Sequence, residues 1–533
     1  MPETVDYIIV GAGTAGCVLA GRLSVDPHVR VALLEVGGMD TNPAIYDRSI
    51  EAMYSLWDPQ AEENWGYRTT PQPGLDGRVI DIARGKVLGG CSAVNAMMHV
   101  RGNRRDFDGW AAQGNPGWSH DEVLPHFLKS ETYHGPASPF HGDNGPVSVI
   151  DIRNPTPILH AFVEAHAEVG GHARHTDFNG PVQEAGAGLY QTTRRPDAVR
   201  VTAASAFVTP VLDRPNLHLL TRVRATHLLI ENGRVAGVHY DGPDGPCLLR
   251  AEREVALCCG AFETPKLMML SGLGPAAELA RHALPVVADL PGVGRNLHDH
   301  LLLGTAYESL VDLPAPELAA EAGLFMWTDG ADREAAPNLQ YFFGPVLQPS
   351  LMELAPDGMR PDRGFTFTAI LNQPRSRGTV TLASADPAAH AVVDPRYLTR
   401  EEDLDVLEFG IRYARRLAHA RPFDRYRGRE IAPGATVTDR DGLRAYIRRY
   451  CGTVWHPVGT CRMGTDAEAV VDPQLRVQGI DGLRVVDASI MPTITNGNPN
   501  AAIMMIAERA ADMIRAEIAP ARDAGEPHDV AAQ

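Results

Sequence analysis

The sequence lacks several features that would place it in a specialised class of protein. No apolar run is long enough to cross a bilayer, and the N-terminus shows no basic region followed by an apolar stretch. We therefore predict neither a transmembrane segment nor a secretory signal, and expect a cytoplasmic protein. The 533 residues exceed what one hydrophobic core usually serves, which predicts one large domain with a second grafted onto it.

Cysteine is scarce and follows no pattern. The seven cysteines are scattered, and an odd, irregular set argues against a disulfide framework. Neither a CxxC pair nor an HExxH motif occurs, so no metal site is predicted. We expect buried, reduced thiols.

Positive charge is also in deficit, since 49 Lys and Arg stand against 66 Asp and Glu, a net charge of −17. A nucleic-acid backbone would be repelled by such a surface, so no nucleic-acid partner is expected. The acidity slightly favours a cationic substrate, but a solvated acidic surface explains it more simply.

What the sequence does contain begins with a strand–helix–strand pattern. The apolar run at residues 6–10 ends abruptly in GAGTAG, residues 11–16. An amphipathic stretch follows, and a second apolar run, residues 29–35, closes the unit. This opening predicts a doubly wound α/β sheet of the Rossmann type, with a dinucleotide site at its carboxyl edge.

The glycines of GAGTAG have separate physical roles. Gly11 permits the tight turn, Gly13 lets the backbone approach a pyrophosphate, and Gly16 allows close helix–strand contact. Glu35, nineteen residues after Gly16, ends the second strand where a ribose 2′-hydroxyl needs an acceptor. The motif predicts dinucleotide binding and leaves FAD and NAD as alternatives.

Further apolar runs predict the rest of the domain organisation. Strands are expected at 216–230, 235–241, 253–259, 365–371 and 379–384, with a strand-rich segment at 331–346 and a helix at 403–420. The predicted cofactor domain comprises 1–155, 201–304 and 451–517, the predicted substrate domain comprises 156–200 and 305–450, and residues 518–533 are predicted to be a disordered tail.

Two glycine-containing segments are candidates for cofactor contact. In residues 83–103, Gly89 and Gly90 form a backbone that can pass flat against a cofactor, and Asn95 offers both a donor and an acceptor. A structural loop would explain these glycines equally well. Residues 260–274 resemble a second strand-to-helix turn, which we interpret largely as scaffold.

The most informative segments lie near the C-terminus. Residues 454–464 contain His456, and residues 485–514 end in a predicted helix with Asn498 as N-cap and Pro499 at its first position. The positive end of that helix would suit the anionic edge of a reduced flavin. His456 and Asn500 lie forty-four residues apart on segments that both look cofactor-facing.

These segments, in this order, resemble the glucose–methanol–choline (GMC) family of flavin oxidoreductases. The likeness runs over nearly the whole chain and is weakest at 305–450; residues 64–78 and 291–300 also resemble stretches of that family. The resemblance implies FAD, an inserted α+β substrate domain with an antiparallel sheet, and oxidation of a CH–OH group.

Residue by residue, the resemblance implies a cofactor site and a catalytic pair. The implied cofactor residues are Gly11, Gly13, Thr14, Ala15, Gly16 and Glu35 for the ADP half, Val223 for adenine, Asn95, Ala96, Met97, Met98, Ala488 and Pro499 for the isoalloxazine, and Val87, Gly90 and Trp455 as further contacts. An alkoxide expels hydride far more readily than an alcohol, so a base is required. We hypothesise that neutral His456 takes the proton and Asn500 donates to the substrate oxygen.

Two departures from relatives similar to choline oxidase refine this hypothesis. Val94 stands where that subgroup has a flavin-tethering histidine, so we predict noncovalent FAD. Ala96 stands where the subgroup has serine, a departure from a choline-type site. Primary alcohols are the preferred substrates, with oxygen or a quinone-like compound as electron acceptor.

Three other functions remain as alternatives. An NAD-dependent alcohol dehydrogenase would share GAGTAG but would not need residues 454–464 and 485–514. A hydroxynitrile lyase would keep the fold and FAD without net oxidation. A noncatalytic flavin-binding protein is disfavoured by an intact His456 and Asn500.

Overall fold

Two large β-sheets organise the chain in the computed structural model, which describes residues 3–171 and 173–523. The first sheet begins with the predicted N-terminal unit, in which Thr4–Val10 and Val31–Leu34 pair in parallel and the helix Thr14–Leu23 connects them. Both strands are almost wholly buried, which explains their continuous apolar sequence. The predicted Rossmann-like α/β class is confirmed.

The first sheet combines parallel strands with an antiparallel meander. Its spatial order is Leu217–Leu220, Val31–Leu34, Thr4–Val10, Gly245–Leu257, Arg234–Gly242 and Arg224–Glu231, with Leu483–Val485 beside Gly245–Leu257. The predicted strand at 216–230 is therefore two strands, separated at residues 221–223.

The second sheet is largely antiparallel and contains the predicted strand at 365–371. Its spatial order is Arg427–Ala432, Leu301–Ser309, Gly364–Leu371, Leu339–Gly344, Ala322–Met326, Gly186–Leu189 and Ala173–Arg174, with Gly452–Thr453 beside Leu301–Ser309. This sheet is the antiparallel part of the inserted α+β region.

Side chains alternate between the two faces of the second sheet. Phe365 and Phe367 pack into a core beneath two covering helices, whereas Thr366 and Thr368 point to the opposite face. That opposite face borders the cavity described below, so the period of two in the sequence decides which side chains reach it.

Helices and short strand pairs complete the fold. The helices are Thr14–Leu23, Ile50–Ser55, Cys91–Val94, Arg104–Ala112, His120–Ser130, Pro157–Gly170, Gly260–Leu270, Ala276–Arg281, Glu401–Ala418, Arg440–Tyr450 and Asn500–Asp523. The shorter strands are Tyr67–Arg68, Asp81–Ile82, Met98–His99, Glu131–Tyr133, Val147–Asp151, Gln191–Thr192, Leu273–Gly274, Ala288–Asp289, Thr379–Thr381 and Val392–Asp394.

The predicted domain limits do not coincide with the sheets at two places. The strand Leu301–Ser309 belongs to the second sheet along its whole length, so a limit at 304 cuts through it. The segment 379–394, assigned to the substrate domain, instead contacts the cofactor side: the amide of Val380 donates to the carbonyl of Gly294 at 2.7 Å. The division into two domains otherwise stays a prediction.

The C-terminal helix is longer than predicted. It runs over Asn500–Asp523, so residues 518–523 of the predicted disordered tail are helical, and 524–533 lie outside the described residues. Of all helices in the described part of the chain, none has the length and apolar character needed to span a bilayer.

Candidate active site

A cavity of about 830 Å³ lies where the two sheets face each other. One end is formed by Val10, Leu34 and Cys258, which follow or end parallel strands of the first sheet. The other end is formed by the threonine-bearing face of the second sheet. Ligands of doubly wound sheets bind at the carboxyl edge, which is the position of the first end.

The N-terminal glycine turn closes the cavity at that edge. Gly11 has a φ of +96°, and a Cβ there would lie 2.7 Å from the carbonyl oxygen of Cys258. The carboxylate of Glu35 accepts from the amides of Ala12 at 2.9 Å and Gly37 at 2.8 Å. Burial raises the pKa of Glu35, and these hydrogen bonds lower it; burial is the larger effect, so the pKa is about 7. This carboxylate borders the cavity where the sequence predicted a ribose acceptor.

The second glycine loop touches the first. Gly90 has a φ of +52°, and a Cβ there would lie 2.6 Å from the Cα of Gly13, so only glycine allows this approach. Met97 also has a positive φ, +61°, an unusual conformation for a residue with a side chain. The side-chain oxygen of Asn95 accepts from the guanidinium of Arg200 at 2.9 Å, which fixes the loop.

The structure brings most of the predicted cofactor residues together. The cavity is lined by Gly11, Gly13, Thr14, Ala15, Glu35, Gly90, Asn95, Ala96, Met97, Met98, Val223, Trp455, Ala488 and Pro499. Gly16 does not line it but packs the helix onto the turn, since a Cβ there would lie 1.9 Å from the carbonyl oxygen of Gly11. Val87 does not line it either, because its side chain packs with Ile45 and Leu56.

The segment 260–274 is more than scaffold. Gly260, Ala261, Phe262 and Glu263, at the start of its helix, border the cavity together with Leu267, while Met268 and Met269 pack into the first core.

The loop that carries His456 is held by buried groups. The amide of His456 donates to the carboxylate of Asp299 at 2.7 Å, and the same carboxylate accepts from Thr453 at 2.5 Å. Trp455 adopts a φ of +61°, a backbone conformation that a bulky residue rarely takes outside functional sites. The guanidinium of Arg84 donates to the carbonyl of Trp455 at 2.9 Å. These contacts direct the His456 ring into the cavity.

A second histidine sets the tautomer of His456. The Nε2 of His300 lies 2.9 Å from the carbonyl oxygen of Asn372, which can only accept, so Nε2 carries the proton. Burial lowers the pKa of His300 to about 3, so its ring is neutral and its Nδ1 is an acceptor. The Nδ1 of His456 lies 3.0 Å from that Nδ1 and must therefore be the donor. In neutral His456 the unprotonated nitrogen is then Nε2.

His456 is poised to accept a proton. Burial, and then the electrostatic effects of His300 and Arg84, lower the pKa of His456 well below 6.5, so the free ring is neutral at pH 7. Its Nε2 lies 3.4 Å from the side-chain nitrogen of Asn498, a weak contact that a substrate oxygen could replace.

The structure does not bring the side chain of Asn500 to His456, although both asparagines border the cavity. The side-chain oxygen of Asn500 accepts from the hydroxyl of Thr14 at 2.7 Å, while Asn498 is the residue that faces His456. The predicted N-cap is also displaced: the carbonyl of Pro499, not Asn498, accepts the first helical bond, from Ile503 at 2.9 Å. Asn498 is thus free of a capping role.

Sequence reasoning missed His300 and Asp299 as parts of the site. The stretch 291–300 was recognised only by its family resemblance, although two histidines flanking an aspartate before a strand are a usable signal. Nothing local in the sequence connects His300 with His456, which lies 156 residues away.

The cavity fits FAD. The helix Thr14–Leu23 begins directly after Gly13 at the cavity, so its first-turn amides would receive a pyrophosphate, and Glu35 would receive ribose hydroxyls. Gly13 and Gly90 both border the cavity, and a Cβ at Gly90 would lie 2.6 Å from the Cα of Gly13, so the two backbones are in close contact beside the proposed cofactor.

Comparison with known proteins agrees with this geometry. Sequence models of the GMC oxidoreductase family match residues 5–302 and 374–507. Alcohol dehydrogenase (acceptor) of Pseudomonas putida is 39% identical over 96% of this chain and 95% of its own length. Oxygen-dependent choline dehydrogenase of Sinorhizobium medicae (strain WSM419) is 39% identical over 98% of this chain and 97% of its own. The crystal structure of pyridoxine 4-oxidase from Mesorbium loti gives a TM-score of 0.89 at 34% identity, covering 96% of this chain and 99% of that one.

The fold, the nucleotide cleft and these relatives define an FAD-dependent oxidoreductase that acts on CH–OH donors and passes electrons to an acceptor. The chain belongs to the GMC oxidoreductase family, which confirms the resemblance seen in the sequence. This membership favours FAD over the NAD-dependent alternative.

Proposed function

We propose that this enzyme oxidises alcohols, preferably primary alcohols, with His456 as the catalytic base and Asn498 as the group that orients the substrate oxygen. The observation that carries the proposal is the histidine pair: because His300 accepts from Nδ1 of His456, the basic Nε2 is presented to the cavity beside Asn498. The relatives named as alcohol and choline dehydrogenases support the reaction class.

Each side chain has a defined task in this proposal. Nε2 of His456 takes the hydroxyl proton, and the side-chain amide of Asn498 donates to the same oxygen. The resulting His456 imidazolium still donates its Nδ1 proton to His300. Its positive charge stabilises the alkoxide. FAD, when bound, supplies the hydride acceptor.

The FAD is proposed to be noncovalent. Val94 borders the cavity at the position discussed above, is 5% exposed, and packs with Ile45 and Leu56. An aliphatic side chain cannot form a bond to the flavin. Denaturing the holoenzyme should release all flavin into the supernatant; a yellow precipitated chain would contradict the proposal.

Anaerobic mixing of the holoenzyme with alcohols tests the function. His456→Ala should slow flavin reduction by about two to four orders of magnitude, as loss of a general base does. Failure of the wild-type flavin to bleach with any alcohol would exclude oxidation and favour the lyase alternative.

A matched pair of variants tests the choice of asparagine. Asn498→Ala should slow flavin reduction by about ten- to a hundredfold, because it removes a donor to the developing oxyanion. Asn500→Ala should leave the rate of reduction nearly unchanged and weaken FAD retention, since its side chain contacts Thr14 at the dinucleotide turn. The reverse pattern would restore Asn500 as the catalytic partner.

A further inference from the structure

The substrate end of the cavity has no charged wall. On the second sheet and its connecting segments, the lining side chains are apolar groups, hydroxyls and one amide: Leu302, Phe342, Val346, Gln348, Thr366 and Thr368. Leu302, Phe342, Thr366 and Thr368 alternate along their strands with residues buried under the helices, so these four share one face of the sheet.

The acidic side chains that do border the cavity are already paired. Among the described residues they are Glu35, Asp81, Glu263 and Asp487. Glu35 accepts from backbone amides at the dinucleotide turn. Asp81 pairs with Arg68 at 3.0 Å on the exterior, and Glu263 accepts from Tyr67 and Lys266.

Asp487 is likewise engaged by first-sheet groups, accepting from the amide of Gly260 at 2.8 Å and the hydroxyl of Thr264 at 2.6 Å. None of the four acidic residues therefore stands on the second sheet or is unpaired, within the described part of the chain.

Among the charged side chains that border the cavity, a guanidinium lies against the loop that carries His456. The carboxylate of Asp299, which holds that loop, does not border the cavity. Arg84 borders the cavity, bonds to the carbonyl of Trp455 at 2.9 Å, and contributes to the lowered pKa of His456. Arg78 and Arg224 also border the cavity. A cationic group beside His456 would meet the guanidinium of Arg84, with no carboxylate on the second sheet to compensate it.

We propose that the substrate is an uncharged alcohol with an apolar body, and that quaternary ammonium alcohols are disfavoured. This inference rests on the proposed function and names the substrate class of the same site. Burying an ammonium group without a counter-charge is costly, whereas an apolar body gains by leaving water for Leu302, Phe342 and Val346.

Two observations that favour a cation do not outweigh this arrangement. Trp57 and Trp455 border the cavity with ring centroids 4.8 Å apart, and indole faces can hold an ammonium group. The guanidinium of Arg84, however, donates a hydrogen bond to the backbone carbonyl of Trp455. The two indole rings also pack equally well on a neutral group. The net charge of −17 is spread over the exposed surface and is screened by salt. It therefore affects how fast a cationic substrate approaches the protein, and not how well that substrate binds inside the cavity.

Two alcohols of the same shape test the inference. Choline and 3,3-dimethylbutan-1-ol differ only in the charged nitrogen that replaces a carbon. The wild-type holoenzyme should show a kcat/KM at least about tenfold higher for the neutral alcohol, with the difference also seen in the half-saturating concentration for anaerobic flavin reduction. Equal values, or a preference for choline, would overturn the inference while leaving alcohol oxidation intact. No bleaching with any alcohol would overturn both.

A second test introduces a carboxylate into the cavity wall formed by the second sheet and its connecting segments. Gln348→Glu is nearly isosteric and should lower the ratio of the two kcat/KM values, neutral alcohol over choline, by about tenfold or more at pH 8. Gln474→Glu makes the same chemical change at an exposed position outside the cavity and should leave the ratio unchanged. An unaltered ratio in Gln348→Glu would show that this wall does not face the substrate, and would reject the inference.

Discussion

The hydrogen bond between the two histidines predicts the cost of removing His300. In His300→Leu, His456 loses the acceptor that its Nδ1 proton reaches at 3.0 Å. Leaving that N–H buried and unpaired costs about 1–3 kcal/mol, so the ring shifts to the tautomer with the proton on Nε2. The population that can act as a base falls by the corresponding factor, about 5- to 150-fold.

Anaerobic stopped-flow reduction of the FAD-loaded variant at saturating alcohol measures this effect. The rate constant should fall by that factor while the half-saturating alcohol concentration changes little, because His300 contacts His456 and not the cavity. His300→Gln should recover part of the rate, since its amide oxygen can again accept from Nδ1.

A neighbouring histidine supplies the matched control. His298 is 2% exposed, close to the 0% of His300, and neither of its ring nitrogens has a hydrogen-bond partner among the described residues. His298→Leu should therefore keep the reduction rate. If His300→Leu reduces at the wild-type rate, or if both variants lose the same amount, the tautomer argument is refuted.

Three further predictions concern pH and packing. Because the pKa of His456 lies well below 6.5 and the neutral ring is required, the acidic limb of kcat/KM in the FAD-loaded enzyme should have its midpoint below pH 6.5; a midpoint above pH 7 would contradict this. Burial alone would lower the pKa of His141, but its hydrogen bonds to Asp177 and Glu131 outweigh burial and raise the pKa to about 9. Its stabilising charge is fully present below pH 6.5 and is lost as pH rises through 9, so His141→Gln should lower Tm at pH 7 and differ less from wild type at pH 10. A constant difference in Tm would argue against that charge. Gly16→Ala, whose Cβ would lie 1.9 Å from a carbonyl oxygen, should cost about 1–3 kcal/mol in the free energy of unfolding and weaken FAD binding. Gly109→Ala, in an open helical position, should be neutral or stabilising in the same urea titration.

The features that could be predicted from the sequence are those that depend on residues close together in the chain. The turn at residues 11–16 is specified locally at Gly16, where a Cβ would lie 1.9 Å from the carbonyl oxygen of Gly11. The strand Gly364–Leu371 could likewise be predicted, because its alternation of Phe and Thr matches the two-residue period of a strand.

The choice between Asn498 and Asn500 as the partner of His456 could not be made from local sequence patterns. Asn498 and Asn500 are two residues apart; the helix-start pattern predicted Asn498 as the N-cap, and the family resemblance implied Asn500 as the partner of His456. The helix begins at Asn500, which turns that side chain toward Thr14 and leaves Asn498 facing His456. A shift of one position at a helix boundary changes which side chain reaches a site, and such boundaries depend on tertiary packing.

By itself, therefore, the sequence determined the α/β class, the dinucleotide turn and the family, and it supplied the hypothesis that His456 is the base. Only the tertiary structure decided which tautomer that histidine holds, which asparagine faces it, and which charged groups border the cavity. The physical reason is that these properties arise between segments far apart in the chain: His300 directly precedes the strand Leu301–Ser309, and His456 lies in a loop 156 residues later. No periodicity or motif encodes the distance between two such side chains.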